Sequence, residues 1–218
     1  MHHVTRRSAA RTVSSILGVY GGFLGFEHGI GEILQGNIAV PAMRINAYGS
    51  AGLPFPFGHE PAMTLLPTYL LSGLAAAFIA LLIMIWSAFF ANQKPAPIVL
   101  LLFSILLLFV GGGYGPIPML ILAVLAGAIA RSPFGILRKI PYSIHLFLAL
   151  SWKWFVAMIF IIILASILIG YVSGLNDPAF SRVTYTSLAM ASGLLQVFFA
   201  LLAVIAVGAT DSVSTQAA

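Results

Sequence analysis

An all-α integral membrane protein is the fold class this sequence predicts, and three observations predict it. Hydrophobic residues make up 61% of the 218 residues and charged ones only 7%, where a soluble domain carries roughly a quarter. The apolar residues fall into runs of about twenty, the length that crosses a hydrocarbon core of roughly 30 Å at about 1.5 Å per residue. The basic residues stand beside these runs, with no soluble basic domain to carry them. The expectation is one transmembrane domain over residues 1–218, a bundle of about six apolar helical segments.

The first segment covers residues 12–34. Arg6, Arg7 and Arg11 precede it as in a signal peptide, but Glu27 and His28 interrupt the run and no small-x-small cleavage site follows, so it is read as a retained helix. The second segment, 63–90, follows a loop rich in Gly and Pro. There Pro61 suits a first helical position and Glu60 the positive end of the helix dipole, so a structural start signal accounts for both. The third and fourth segments, 98–110 and 117–130, would form one overlong span if Gly111-Gly112-Gly113-Tyr114-Gly115-Pro116-Ile117-Pro118 did not oppose helix continuation between them. Each is short for a spanning helix, which makes the pair a tight hairpin or a re-entrant pair.

The fifth segment, 152–173, opens on Trp152-Lys153-Trp154, the pattern of an interfacial anchor. Residues 132–151 before it are expected to lie along the membrane surface or to form a helix running into the span. The sixth segment covers 184–208. If 98–130 returns to the side it left, Arg6, Arg7, Arg11, Lys94, Arg131, Arg138 and Lys139 share one side and leave Arg44 and Arg182 opposite. The positive-inside rule then places both termini in the cytoplasm.

Several function classes fall away. The absence of cysteine excludes disulfides, thiolate nucleophiles and Cys-ligated metals. The formal charge of +5 serves topology and anionic lipid, not nucleic acid. The expected partners are the lipid bilayer, other membrane subunits or a second copy of the chain, with no nucleic acid. No inverted repeat relates the two halves.

The residues able to carry chemistry lie toward the outer side. Gly18, Gly22, Gly25 and Gly29 form one stripe on the first helix, which reads as close helix packing. Glu32 continues that stripe and His28 stands four residues before it, so the two can meet on the bundle-facing side while Glu27 points elsewhere. Ionisable groups at this depth are usually buried against partners, because lipid exposure costs at least a few kcal/mol. His59 and Glu60 precede the second helix on the same side.

Two imidazoles and two carboxylates, His28, Glu32, His59 and Glu60, are a donor set that suits a divalent metal, although their spacing matches no metal signature. A buried hydrogen-bond and charge network, Arg44 included, is the plainer reading of the same group. Gly113-Tyr114-Gly115 resembles a potassium filter only in outline, since glycines replace its first positions and prolines follow, and it reads as a turn between short helices. Broken helices nevertheless line solute sites in transporters, which makes Tyr114 a candidate beside Glu27, His28, Glu32, His59 and Glu60. Ser192 and Gln196, four apart on the last helix, read as an interhelical hydrogen-bonding pair.

Gly25-Phe26-Glu27-His28-Gly29, Glu60-Pro61-Ala62-Met63-Thr64 and Gly111-Gly112-Gly113-Tyr114-Gly115-Pro116 together resemble a family of small uncharacterised prokaryotic multi-pass membrane proteins. The resemblance covers residues 1–130 and carries no activity. It implies a prokaryotic cytoplasmic membrane and a single site shared by the three motifs. The function expected from the sequence is binding or passage of a small solute or ion through an outward His/Glu site and a broken helix. A non-catalytic accessory subunit is the alternative, and a membrane metal-binding protein the third. With no nucleophile motif or dense ligand motif, an enzyme is disfavoured.

Overall fold

The computed structural model describes residues 6–47, 61–130, 141–176 and 182–216. Among them lie six α-helices, α1 (Arg6–Gln35), α2 (Tyr69–Phe89), α3 (Ala96–Phe109), α4 (Pro116–Ile129), α5 (Tyr142–Asn176) and α6 (Arg182–Gln216), and two short strands, β1 (Arg44–Asn46) and β2 (Pro61–Met63). Three stretches are long and apolar enough to cross a membrane: Tyr69–Phe89, Leu146–Ile169 within α5 and Ser187–Ala209 within α6.

The 30-residue α1 is not among them, and its place in the fold explains why. It packs against α2, α4 and α6, and its Gly25 abuts Leu107 of α3, so much of its surface faces protein. Such a helix has no need of bulky apolar residues and gains from small ones, because close backbone contact replaces the hydrophobic drive that lipid does not supply. Gly18 and Gly22 face Ser87, Ala80 and Met84 of α2, while Gly21 faces Leu120 of α4. Ser14 Oγ donates to Ala123 O at 2.7 Å and Ser15 Oγ to Ser87 O at 2.6 Å, so the serines of α1 also hold neighbouring backbones.

These contacts fix directions. α2 runs antiparallel to α1, α3 parallel and α4 antiparallel, so the chain between α3 and α4 lies beside the C-terminal turns of α1. The core at mid-height gathers Val13, Leu17, Ile83, Leu120, Ala123 and Ala203.

Two local expectations change. The second segment starts helically at Tyr69, not near Met63, because Pro67 would fall inside the second turn of a helix begun there and clash with the preceding turn. Thr68 instead caps α2, its side chain accepting from Leu71 N at 3.3 Å. Pro61 accordingly begins a strand and not a helix, with Asn46 paired to Pro61 and Arg44 to Met63 in the antiparallel β1–β2 register. The Trp152-Lys153-Trp154 triplet lies within α5. Of the two forms expected before the fifth span, the helix running into it is the one observed from Tyr142 onward, and Lys153 Nζ lies 5.8 Å from the Trp152 ring centroid.

Candidate functional site

The site begins with a close approach of two backbones. A Cβ added to Gly29 would fall 2.7 Å from Ala77 N and 2.8 Å from Gly73 O, so α1 and α2 cross with almost nothing between them. That contact brings Ser72, one residue before Gly73, alongside Glu32.

The chain between α3 and α4 closes the end of this pair. Gly111 and Gly113 adopt φ of 100° and 79°, the left-handed region where side chains are strained. The interruption is stitched to the segment that carries β2. Gly111 N donates to Met63 O at 2.9 Å, Tyr114 N to Pro61 O at 3.3 Å and Leu65 N to Phe109 O at 3.0 Å. The break thus runs as a strip of chain beside β2, and backbone groups freed by the end of a helix find partners there.

Two side chains of α1 lie against this strip. A Cβ on Gly111 would collide with both carboxylate oxygens of Glu32 and with Ser72 Oγ, and one on Gly113 would collide with the His28 ring around Nε2. The glycines therefore serve twice, once for backbone conformation and once for room. Glu32 is 0% exposed and His28 2%, and Ser72 and Thr64 are equally enclosed.

The hydrogen bonds around the carboxylate run away from it. Ser72 Oγ donates to Val110 O at 3.0 Å. His28 Nδ1 stands 2.9 Å from Leu24 O, which can only accept, so Nδ1 carries a proton. Both oxygens of Glu32 are buried with no hydrogen-bonding partner among the described residues. His28 and the Tyr69 phenol lie within electrostatic reach of the carboxylate.

Of the residues singled out in the sequence, His28, Glu32 and the glycine break come together. The motif around Pro61–Thr64 joins them through its backbone, so parts of all three motifs adjoin. Glu27 is partly buried, and Tyr114 is 39% exposed at the outer edge of the break. Arg44 is exposed on β1 and takes no place in the buried group, because the strand register turns it outward while Ile45 points in. His59 and Glu60 lie outside the described residues. Among the described residues no three His, Cys, Asp or Glu side chains gather to hold a metal, so His28 and Glu32 are what this part of the chain offers the expected divalent ion.

A second buried polar chain crosses the bundle at mid-height. Tyr20 OH donates to Gln196 Oε1 at 2.5 Å and Gln196 Nε2 to Ser192 Oγ at 3.0 Å. The Ser192–Gln196 bond lies within α6, and the interhelical link is made by Tyr20 of α1. Sequence reasoning missed Tyr20, and at the site it missed Ser72. The available signal for Ser72 was a lone hydroxyl one residue before a glycine in an otherwise apolar helix.

Comparison with known protein families, curated proteins and solved structures finds no match for this chain.

Proposed function

We propose that this is a multi-pass protein of a prokaryotic cytoplasmic membrane, with both termini cytoplasmic, that binds a small solute or ion at its outward end and passes it along the α1–α2 contact and the α3–α4 break. The observation that carries this reading is the Glu32 carboxylate, fully buried, bordered by a helix interruption and accepting no hydrogen bond among the described residues. A stranded carboxylate is costly to keep in a fold, and in membrane proteins such groups mark ion and substrate paths. The 14-residue α3 and α4 are each about 21 Å long, too short to cross a core of roughly 30 Å alone, which suits a pair dipping toward a solute site from one side.

Two experiments test this. Protein reconstituted in liposomes should pass an ion or small solute under at least one imposed gradient of protons, sodium or potassium, and Glu32→Gln should lower that flux by tenfold or more, since a transport step that depends on one group loses roughly 1.4 kcal/mol per decade. Flux equal to that of empty liposomes under every gradient counts against passage. Single cysteines placed next to Lys94 and Arg138 in this cysteine-free chain should label from the same, cytoplasmic side. Labelling from opposite sides removes the even number of crossings.

A non-catalytic accessory subunit is the second reading. It draws on the span within α5, of which only 17% is buried, against 39% for those of α2 and α6. Lipid covers such a face as well as a partner would, so this reading stays second.

A further inference from the structure

We propose that the occupant of the Glu32 site is a single monovalent cation, a proton or a sodium ion, held between the carboxylate, Ser72 Oγ and the carbonyl oxygen of Val110. This rests on the reading that the site binds an ion.

Around Glu32, Ser72 Oγ and Gly111 N direct their protons to other partners. The carboxylate brings two oxygens that accept no hydrogen bond. Ser72 has one proton and gives it to Val110 O, so the hydroxyl presents lone pairs to its other neighbours. Gly111 N, on the break, is committed to Met63 O. An ionised carboxylate that accepts no hydrogen bond in a buried site is poorly compensated. A proton on Glu32 turns it into a donor that can reach Ser72 Oγ, extending a chain from Glu32 through Ser72 to Val110. A sodium ion neutralises the same oxygens by coordination.

The charge count favours one positive charge. Among the described residues the titratable groups near Glu32 are His28 on α1 and Tyr69 on α2, and Gly111 brings backbone alone. Tyr69 adds no positive charge. If His28 is neutral, with its proton on Nδ1, one carboxylate needs one counter-charge, and a divalent ion would leave an excess positive charge buried.

The test reads the protonation state of Glu32 in the intact protein. The chain has three glutamates, Glu27, Glu32 and Glu60, so infrared spectra of protein carrying carbon-13 glutamate contain few side-chain carboxyl bands. Glu32→Gln assigns one of them. If that variant does not fold, mapping the adduct of a membrane-permeant carbodiimide, which reacts with the protonated acid, assigns it in the unaltered chain. At neutral pH in sodium-free choline chloride, Glu32 is expected to show the carbonyl band of a protonated acid. Sodium chloride then separates the two cations. If the band persists, the occupant is a proton. If sodium at about ten times its dissociation constant reduces the band roughly tenfold, by occupancy alone, the occupant is sodium.

An ionised Glu32 without sodium would overturn the proposal, because an internal charge such as a His28 imidazolium would then be the counter-ion. Displacement of the band by calcium or zinc but not by sodium would overturn it as well. These outcomes separate from those of the flux experiment. A protonated or sodium-bound Glu32 with no flux leaves a cation site without passage, and flux with an ionised Glu32 leaves passage with a different ligand.

Discussion

α1 and α5 are both long helices, and they are built on opposite plans. α1 carries glycines, serines, His28 and Glu32, and it packs against α2, α4 and α6. α5 is nearly all bulky and apolar over Leu146–Ile169, packs chiefly against α6, and leaves Leu150, Trp154 and Leu164 largely exposed. In water the second composition would mark the core. In a bilayer it marks the surface facing hydrocarbon, and the interior is found where the sequence turns small and polar. Hydrophobicity alone would thus have pointed to the least informative helix of the chain.

The backbone contact between α1 and α2 is the most sensitive point of the fold. Gly29→Leu drives a side chain into the backbone of Gly73 and Ala77, atoms that cannot rotate away. It should cost more than about 3 kcal/mol or prevent folding, read as loss of the monodisperse species in mild detergent. Unchanged thermal stability would dissolve the claim that α1 and α2 meet backbone to backbone.

An intermediate effect is expected where the two plans touch. Tyr20→Phe removes the donor to Gln196 Oε1 and keeps the ring, which lies 6.0 Å from Phe160 centroid to centroid. Hydrogen bonds between membrane helices are worth roughly 0.6 kcal/mol on average and under about 2 at most. A loss of that size in unfolding equilibria fits the geometry, and a much larger one would mean that the Tyr20–Gln196–Ser192 chain acts as a unit.

The smallest effect belongs to α5. Leu164, 68% exposed, should tolerate replacement by Ala within about 0.5 kcal/mol. If Leu164→Ala instead disperses an oligomer, its face is a protein interface and the accessory-subunit reading gains ground.

Legibility in the sequence followed the same divide. The three stretches apolar enough to cross a membrane announce themselves by run length. The stripe Gly18–Gly22–Gly25–Gly29 read correctly as a packing face because a 3.6-residue period needs no tertiary knowledge. What stayed hidden depended on contacts between distant segments. The strand character of Pro61–Met63 arises from pairing with Arg44–Asn46 on one side and with the break on the other. The donor preferences of Ser72 are fixed by a carbonyl 38 residues away. His28 and Glu32 could be placed on one helix face by counting, but not against Gly113 and Gly111.

The modest apolarity of α1 has a consequence for how the protein is made. A ribosome delivers α1 before the helices it packs against, yet its polar groups are satisfied by carbonyls and side chains far downstream: Ser14 by Ala123, 109 residues later, and Tyr20 by Gln196, 176 residues later. During synthesis the segment that organises the bundle is therefore also the one least able to stay in hydrocarbon by itself, since single polar side chains at the centre of a nascent helix each raise the cost of insertion. α2, which meets the length and apolarity of an independent span, is the natural first anchor. On this view α1 enters its final position as a guest of helices translated after it, and the protein is completed from the outside inward.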